Sequence, residues 1–319
     1  MPFIVLLACV LCLAIPARAA DSAPVTIADA HNSGAVLAIA DRPRQIASGG
    51  TEGRIRVSRL SDGHALADWF AHDGDVTGLH YDARRSQWLS GGRDGALALW
   101  DGDGRELRRH QTGSPVTDLA VDEDRGRIAT AHDDGTIGLW TLAGLEPLAR
   151  HHRHRGKVRA VAIDRRSGCI ASAGSDGRVL VAGIGDAEPL VLTPPPSDAH
   201  DLAFSPDGGW LMGAGWFRLF RWPLARPDDI SVLSTPHHGL IRSIQFNRDG
   251  RQLATISRHT DSAVLLLDAA SGALMRRFPS HDLCGRAVAL SRDGQYLVSS
   301  GDEASVRIHA LPAESGPAP

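Results

Sequence analysis

The chain has 319 residues, of which 43% are hydrophobic and 22% charged, an ordinary composition for a globular protein. Lysine and arginine number 34 against 37 aspartate and glutamate residues, so the formal net charge is -3 at pH 7. This balance creates no overall positive field, and it argues against nucleic acid or an anionic membrane as the partner.

The first segment of the chain is an apolar run, residues 3–15, followed by small residues that include Ala17 and Ala19. This order is typical of a secretory signal peptide cleaved after Ala19 or Ala20, and the run is short for a transmembrane helix. Because no Lys or Arg precedes the run, an uncleaved membrane anchor is the alternative. We therefore expect residues 1–20 to be a leader and the protein to be periplasmic or secreted.

One phrase, Leu-x-Ser-Gly-Gly-x-Asp-Gly followed by Trp, recurs along the rest of the chain. The clearest copies run from Leu89 to Trp100 and from Ile128 to Trp140. The tryptophan position recurs in steps of about 40 to 45 residues, and each unit has room for four short strands. The seven positions are Ser58, Trp100, Trp140, Ala182, Trp222, Leu267 and His309.

Two units carry a complete set of polar residues that could hydrogen-bond to one another. The sets are His72, Ser90, Asp94 and Trp100 in the second unit, and His110, Thr130, Asp134 and Trp140 in the third. These residues resemble the WD40 repeat family, and the resemblance extends from about Pro24 to Leu311. It implies an all-β, seven-bladed β-propeller in which each set holds its blade together.

Other units depart from the family pattern. Ala182 and Leu267 replace the tryptophan, Glu52 and Glu303 replace the aspartate, and Trp216 stands where the fifth unit would have its aspartate. We expect those blades to depend more on apolar packing.

The two ends of the chain predict how the ring closes. The seventh unit has room for three strands before a Pro-rich tail, residues 312–319, which we expect to be disordered. Residues 24–27 have no place in the first unit and would supply the missing strand. The predicted domains are therefore a leader at 1–20, a propeller at 21–311 and a tail at 312–319.

A search for catalytic motifs gives a structural interpretation instead. Ser90, His72 and Asp94 could be mistaken for a hydrolase triad, but the same residue types return in the third unit, as expected for a repeated structural set. We predict no enzyme activity and no cofactor.

The segment from His151 to Lys157 is unusually rich in histidine and cations. His151, His152 and His154 are weak candidates for metal ligands, and a basic docking patch or a solvated loop are the alternatives. Either His152 or His154 would serve as the structural histidine of the fourth blade.

Partners are expected at one opening of the central channel, by analogy with how proteins of this family bind peptides and domains. The residues directly before each first strand would border this opening. They are Ser33, Asp75, Pro115, Lys157, Asp198, Leu240 and Cys284. Trp216 and Phe217 could add an apolar contact there, although packing within the blade is the preferred interpretation.

Two of the four cysteines, Cys9 and Cys12, lie in the predicted leader, and the other two should be far apart in a ring. We expect Cys169 to be a small core residue and no disulfide between it and Cys284.

The resulting hypothesis is a monomeric, exported scaffold that binds a protein or peptide and catalyses no reaction. The alternative is a propeller that binds metal or haem through the histidine-rich segment and works with a redox protein.

Overall fold

The structure, a computed structural model, describes residues 23–183, 185 and 188–312. The predicted leader, with Cys9 and Cys12, and the tail from residue 313 lie outside these residues. Every regular element in the described part is a β-strand, and no helix there could cross a membrane.

The strands form seven antiparallel sheets of four strands each, the blades of a propeller. Blade one contains β2 (Val36–Ala40), β3 (Gln45–Gly49), β4 (Arg54–Arg59) and β5 (Ala65–Phe70). Blade two contains β6 (Val76–Asp82), β7 (Gln87–Gly92), β8 (Ala96–Trp100) and β9 (Glu106–Gln111). Blade three contains β10 (Val116–Asp122), β11 (Arg127–His132), β12 (Thr136–Thr141) and β13 (Pro147–His152).

The remaining blades repeat this order. Blade four contains β14 (Val158–Ile163), β15 (Ile170–Gly174), β16 (Val179–Ala182) and β17 (Leu190–Val191). Blade five contains β18 (Asp201–Phe204), β19 (Trp210–Ala214), β20 (Arg218–Pro223) and β21 (Ser231–Ser234). Blade six contains β22 (Leu240–Phe246), β23 (Gln252–Arg258), β24 (Val264–Asp268) and β25 (Leu274–Phe278). Blade seven contains β26 (Gly285–Leu290), β27 (Tyr296–Gly301) and β28 (Val306–Ala310), completed by β1 (Val25–Ile27).

The N-terminal strand closes the ring as predicted. β1 pairs antiparallel with β28, with Val25 opposite Ile308, so one sheet joins the two ends of the described chain. The pairing covers the outer edge of β28, and Val25 and Ile27 pack in the cluster between blades seven and one.

Turn chemistry explains why each unit folds back on itself. In the turn between β7 and β8, the Asp94 carboxylate accepts a hydrogen bond from the Ala96 amide at 3.0 Å. Gly95 follows with a φ of 77°, a left-handed conformation that favours glycine. The Asp-Gly signal in the sequence thus marks a real turn.

The hydrophobic core consists of seven clusters, one at each interface between neighbouring blades. Between blades one and two, for example, Ile55 and Trp69 pack with Trp88 and Trp100. Each blade is therefore stabilised by both neighbours, and the ring has no central core.

The first strand of each blade lines the central channel. In five blades this strand carries a register shift near its start, a β-bulge that turns one side chain inward. The bulged residues are Thr77, Thr117, Arg159, Arg242 and Arg286.

Candidate functional site

The polar set of blade two forms a continuous chain of hydrogen bonds inside the blade. The indole N–H of Trp100 donates to Ser90 Oγ at 2.8 Å, and His72 Nε2 lies 2.7 Å from the same oxygen. His72 Nδ1 lies 2.9 Å from the Asp94 carboxylate. A neutral imidazole satisfies every atom if Nδ1–H donates to Asp94 and the Ser90 hydroxyl donates to Nε2.

Burial excludes this set from contact with a substrate. Ser90 is completely buried and His72 is 1% exposed. Burial alone would raise the pKa of Asp94, but the hydrogen bonds from His72 and from backbone amides lower it to about 2. The set is an internal brace whose polar atoms have partners, as buried polar atoms require.

Blades one, four and seven build the contacts between the histidine, the serine and the acidic residue without a tryptophan, and in blade four the histidine is His154. Its Nε2 lies 2.8 Å from Ser172 Oγ and its Nδ1 2.9 Å from Asp176. In blades one and seven, Glu52 and Glu303 take the place of the aspartate and bind His31 and His281. Glutamate can therefore replace aspartate in this brace.

Blade three contradicts the predicted set. His110 makes no hydrogen bond with Thr130; its ring packs on Trp140 with centroids 4.8 Å apart. The imidazole next to Thr130 belongs instead to His132, whose Nε2 lies 2.8 Å from Thr130 Oγ1. Asp134 binds Thr136 Oγ1 at 2.6 Å and takes no part in the brace.

Blade three differs because its buried imidazole comes from a different position in the repeat. In blade two a Cβ on Gly92 would overlap the His72 ring. His132 occupies the position of that glycine and fills the space of the ring itself. The position equivalent to His72 is then Thr112, whose amide binds the Gly95 carbonyl as the His72 amide binds that of Gly53.

In blades four, five and six no tryptophan indole donates to the brace serine or threonine. Ala182 leaves Ser172 without an indole donor, and in blade six His237 bonds Thr255 at 2.7 Å and lies 3.5 Å from Asp261. In blade five Trp222 donates to the Thr193 carbonyl at 2.9 Å.

The residues predicted to border the channel lie at equivalent places, directly before or beside the first strands. Three of them, Asp75, Lys157 and Asp198, are half-buried and form ion pairs at the opening. Lys157 Nζ lies 3.1 Å from Asp133, and Asp198 lies 3.3 Å from Arg159. Arg286 reaches from blade seven to within 3.8 Å of Asp75. We call this opening the channel mouth.

The other residues of the predicted border make different contributions. Ser33 and Pro115 are half-buried, and the Cys284 carbonyl accepts the Asp302 amide at 2.8 Å. Leu240 is only 5% exposed and its backbone bridges to Trp216, so its side chain presents little surface to a partner.

An exposed aromatic cluster stands beside this border. Trp216 is 40% exposed and Phe217 46%, and the Trp216 ring stacks on His259 with a centroid distance of 5.4 Å. Phe217 and His259 both have positive φ, 63° and 79°. The expectation that Trp216 and Phe217 pack within the blade is wrong.

Phe220 fills the inside of blade five next to the turn that carries this cluster. A Cβ on Gly215 would overlap the Phe220 ring, so phenylalanine fills the space that the imidazole occupies in blade two. Phe220 is 1% exposed. The turn that carries Trp216 and Phe217 is left to face solvent.

The channel interior contains charged residues that the sequence analysis did not single out. Burial, aided by the neighbouring Asp201 carboxylate, raises the pKa of Asp118 to about 7. Burial also raises the pKa of Asp201 to about 6. Each carboxylate accepts a hydrogen bond from a backbone amide of the next blade: Val161 N–H donates to Asp118 at 2.9 Å, and Ile244 N–H donates to Asp201 at 2.7 Å.

The opposite opening of the channel contains a wide cavity of about 880 Å³. Glu123, 9% exposed, lies 2.5 Å from Arg292 and 3.2 Å from His80. These contacts, that with His80 above all, lower the pKa of Glu123 to about 2. An internal carboxylate therefore already binds the nearest cations of this opening.

The three candidate metal-ligating histidines do not share a site. His154 is buried in the brace of blade four, while His151 and His152 are consecutive residues of β13 and so face opposite sides of that strand. No group of three potential ligands of the His, Cys, Asp or Glu type occurs in the described residues. Cys169 and Cys284 are both free thiols.

Comparison with known proteins agrees with this architecture. The family model described as WD domain, G-beta repeat matches residues 63–101, 104–141, 145–181 and 272–309. Together with the seven sheets, these matches make the fold a seven-bladed β-propeller with WD40 repeats. Proteins with this repeat generally act as scaffolds that bind other proteins.

Several named proteins are similar over part of the chain. Ribosome biogenesis protein YTM1 of Yarrowia lipolytica is 29% identical over 146 residues, covering 32% of this chain and 28% of that protein. The protein of the same name from Meyerozyma guilliermondii is 30% identical over 122 residues, covering 34% and 26%. WD repeat-containing protein 90 of Homo sapiens is 30% identical over 117 residues, covering 36% and 7%. The chain thus spans less than a third of the length of each of these relatives.

Proposed function

We propose that this protein is an exported, non-catalytic scaffold that binds a protein or peptide partner at the channel mouth. The observation that carries the proposal is the exposed cluster of Trp216, Phe217 and His259 beside the half-buried polar border. Exposed aromatic side chains next to polar groups are characteristic of the energetic centres of protein interfaces.

Backbone conformation adds support at the same place. Phe217 has a φ of 63°, which is costly for a bulky residue and is maintained only when surrounding contacts favour it. The Phe217 amide donates to the Gly239 carbonyl at 3.0 Å, and the Trp216 amide donates to Ser197 Oγ at 3.3 Å. The two aromatic rings are therefore held outward on a backbone fixed to blades five and six.

Site-specific photo-crosslinking tests the proposal. A benzophenone amino acid replaces Phe217 at the mouth or, as a control of equal exposure, Leu107 on the outer strand β9; the two side chains are 46% and 45% exposed. We expect a discrete cross-linked partner from position 217 in cells of the native host and none from position 107. The same partner from both positions, or from position 107 alone, contradicts the proposal.

Export is supported by the apolar run at residues 3–15 and the small residues Ala17 and Ala19. Cell fractionation with N-terminal sequencing tests it. We expect an envelope or extracellular protein that begins at Ala20 or Asp21. A cytosolic protein that retains residues 1–20 contradicts this part of the proposal.

A further inference from the structure

The first strands place four basic side chains on one side of the channel. Blades four to seven contribute, at one level, Arg159, His200, Arg242 and Arg286, and all four line the same space. Blades two and three have Thr77 and Thr117 at this level, and both hydroxyls donate to backbone carbonyls, at 2.9 and 2.6 Å. The three arginines of the channel therefore lie in blades four, six and seven, and the carboxyl groups of Asp118 and Asp201 line the same space.

Two of these guanidinium groups have only part of their hydrogen-bonding capacity used. Arg242 has no ion pair within the described part of the chain, and its contact with the His200 carbonyl is 3.5 Å long. Arg159 Nε is buried and has no hydrogen-bond partner, although its terminal nitrogen lies 3.3 Å from Asp198. Buried donors of this kind normally have a partner, so the arrangement lacks an acceptor.

The third guanidinium is held over the mouth. Arg286 is 21% exposed and is 3.8 Å from Asp75. It lies against Gly34, where a Cβ would approach its Cγ to 3.0 Å. The small residue in blade one thus leaves room for Arg286 to extend across the opening.

The cations also affect one another's protonation. Burial and then the charges of Arg159 and Arg242 lower the pKa of His200 to about 4. Burial and the charge of Arg242 lower the pKa of Arg286. These directions agree with the geometry, because like charges gathered in a narrow space favour an anion between them.

We propose that the channel mouth receives an acidic side chain of the bound partner, whose carboxylate accepts hydrogen bonds from Arg159, Arg242 and Arg286. The inference rests on the proposed function and specifies the chemistry of its partner. The channel space is about 180 Å³, which suits one side chain and excludes a folded segment. Guanidinium groups form the strongest hydrogen bonds that side chains offer to a carboxylate.

A free phosphate would offer similar oxygens, but two observations favour the carboxylate. The threonine hydroxyls that could serve a third oxygen are already donating to carbonyls. Asp118 and Asp201 line the same space and would repel a doubly charged ion more than a singly charged one.

Model compounds test the inference on the purified full chain. N-acetyl-glutamate amide carries one carboxylate, N-acetyl-glutamine amide is its neutral match, and inorganic phosphate is the competing ligand, all at one ionic strength. Calorimetric titration compares the wild type with Arg242→Gln and with Arg251→Gln. Arg251 has the same charge and 86% exposure on a distant turn.

We expect the glutamate compound to bind the wild type and Arg251→Gln equally, and to bind Arg242→Gln at least about tenfold more weakly. Without ligand, Arg242→Gln should melt at the same temperature as the wild type or higher, because repulsion is relieved. Equal binding to both variants, binding of phosphate alone, or a lower melting temperature of Arg242→Gln would overturn the inference.

The outcomes separate this inference from the proposed function. A partner that cross-links at position 217 yet binds Arg242→Gln as tightly as the wild type contradicts the inference and leaves the proposed function intact. If the glutamate compound binds but no partner cross-links specifically from position 217, the proposed function is contradicted. The carboxylate that the channel binds would then not belong to a protein partner.

Discussion

Replacing the central serine of the blade-two brace gives the sharpest test of how the blades are stabilised. Ser90→Ala removes the oxygen that receives the Trp100 indole at 2.8 Å and contacts His72 Nε2 at 2.7 Å. Two buried polar atoms lose their partner, and each loss costs about 1–3 kcal/mol, so the free energy of unfolding should fall by about 2–6 kcal/mol. Ser172→Ala in blade four leaves only His154 Nε2 unpaired, since Ala182 provides no indole.

The pair of variants therefore isolates the contribution of the indole. Ser90 and Ser172 are 0% and 1% exposed, so burial does not distinguish them. In urea unfolding followed by circular dichroism, Ser90→Ala should lose about 1–3 kcal/mol more of the free energy of unfolding than Ser172→Ala. Ser90→Thr keeps a hydroxyl, as Thr130 does in blade three, and should unfold near the wild type. Equal losses from both alanine variants would refute the reasoning.

Three further variants test other parts of the account. His132→Ala should lower the free energy of unfolding by about 2–4 kcal/mol because it leaves a cavity and removes a buried hydrogen bond to Thr130, whereas His110→Ala should cost less than about 1 kcal/mol in the same urea assay; the reverse order would restore the original assignment. The raised pKa of Asp118, about 7, means that its neutral form stabilises the fold at low pH and that this contribution is lost as the pH rises through 7. Asp118→Asn should therefore gain stability relative to the wild type between pH 4 and pH 8, and a constant difference in thermal melting would contradict the shift. Ala182→Trp should raise the urea midpoint by supplying the indole that Ser172 lacks, and a lowered midpoint would show that blade four has no room for it.

The number of blades could be predicted from the sequence because each unit encodes its own local structure. The Asp94-Gly95 turn and the alternation of strand residues act within one blade, so their period reveals the repeat directly. Ring closure by residues 25–27 followed from counting strands, and β1 pairs as expected.

The sequence predictions were wrong where a residue at one position of a blade takes the space that another position fills in the other blades. The assignment of His110 ignored the spacing from histidine to the serine or threonine, which is 17 or 18 residues in the other braces. That spacing pointed to Thr112 as the equivalent position, with His132 taking the place of a glycine. The exposure of Trp216 could not be predicted because the space that a histidine would fill inside blade five is occupied by Phe220, a residue later in the chain.

The sequence analysis missed the three arginines of the channel because they are far apart in the sequence and come together only in the folded ring. Arg159, Arg242 and Arg286 lie in different blades, and only the bulge at the start of each first strand brings them to one level. A signal was present in the sequence, since each follows the brace histidine of its blade at the same spacing, as His154 and Arg159 show. Using this signal required knowing that the residue five positions after the brace histidine lines the channel.

The affinity of the cross-linked partner for matched truncation variants tests the central claim most directly. Trp216→Ala removes a ring at the mouth that is 40% exposed, and Leu107→Ala removes a side chain on the outer strand that is 45% exposed. If the mouth is the binding face, Trp216→Ala should raise the dissociation constant at least about tenfold and Leu107→Ala should leave it unchanged. An unchanged dissociation constant for Trp216→Ala with a raised one for Leu107→Ala would show that the partner binds elsewhere on the propeller.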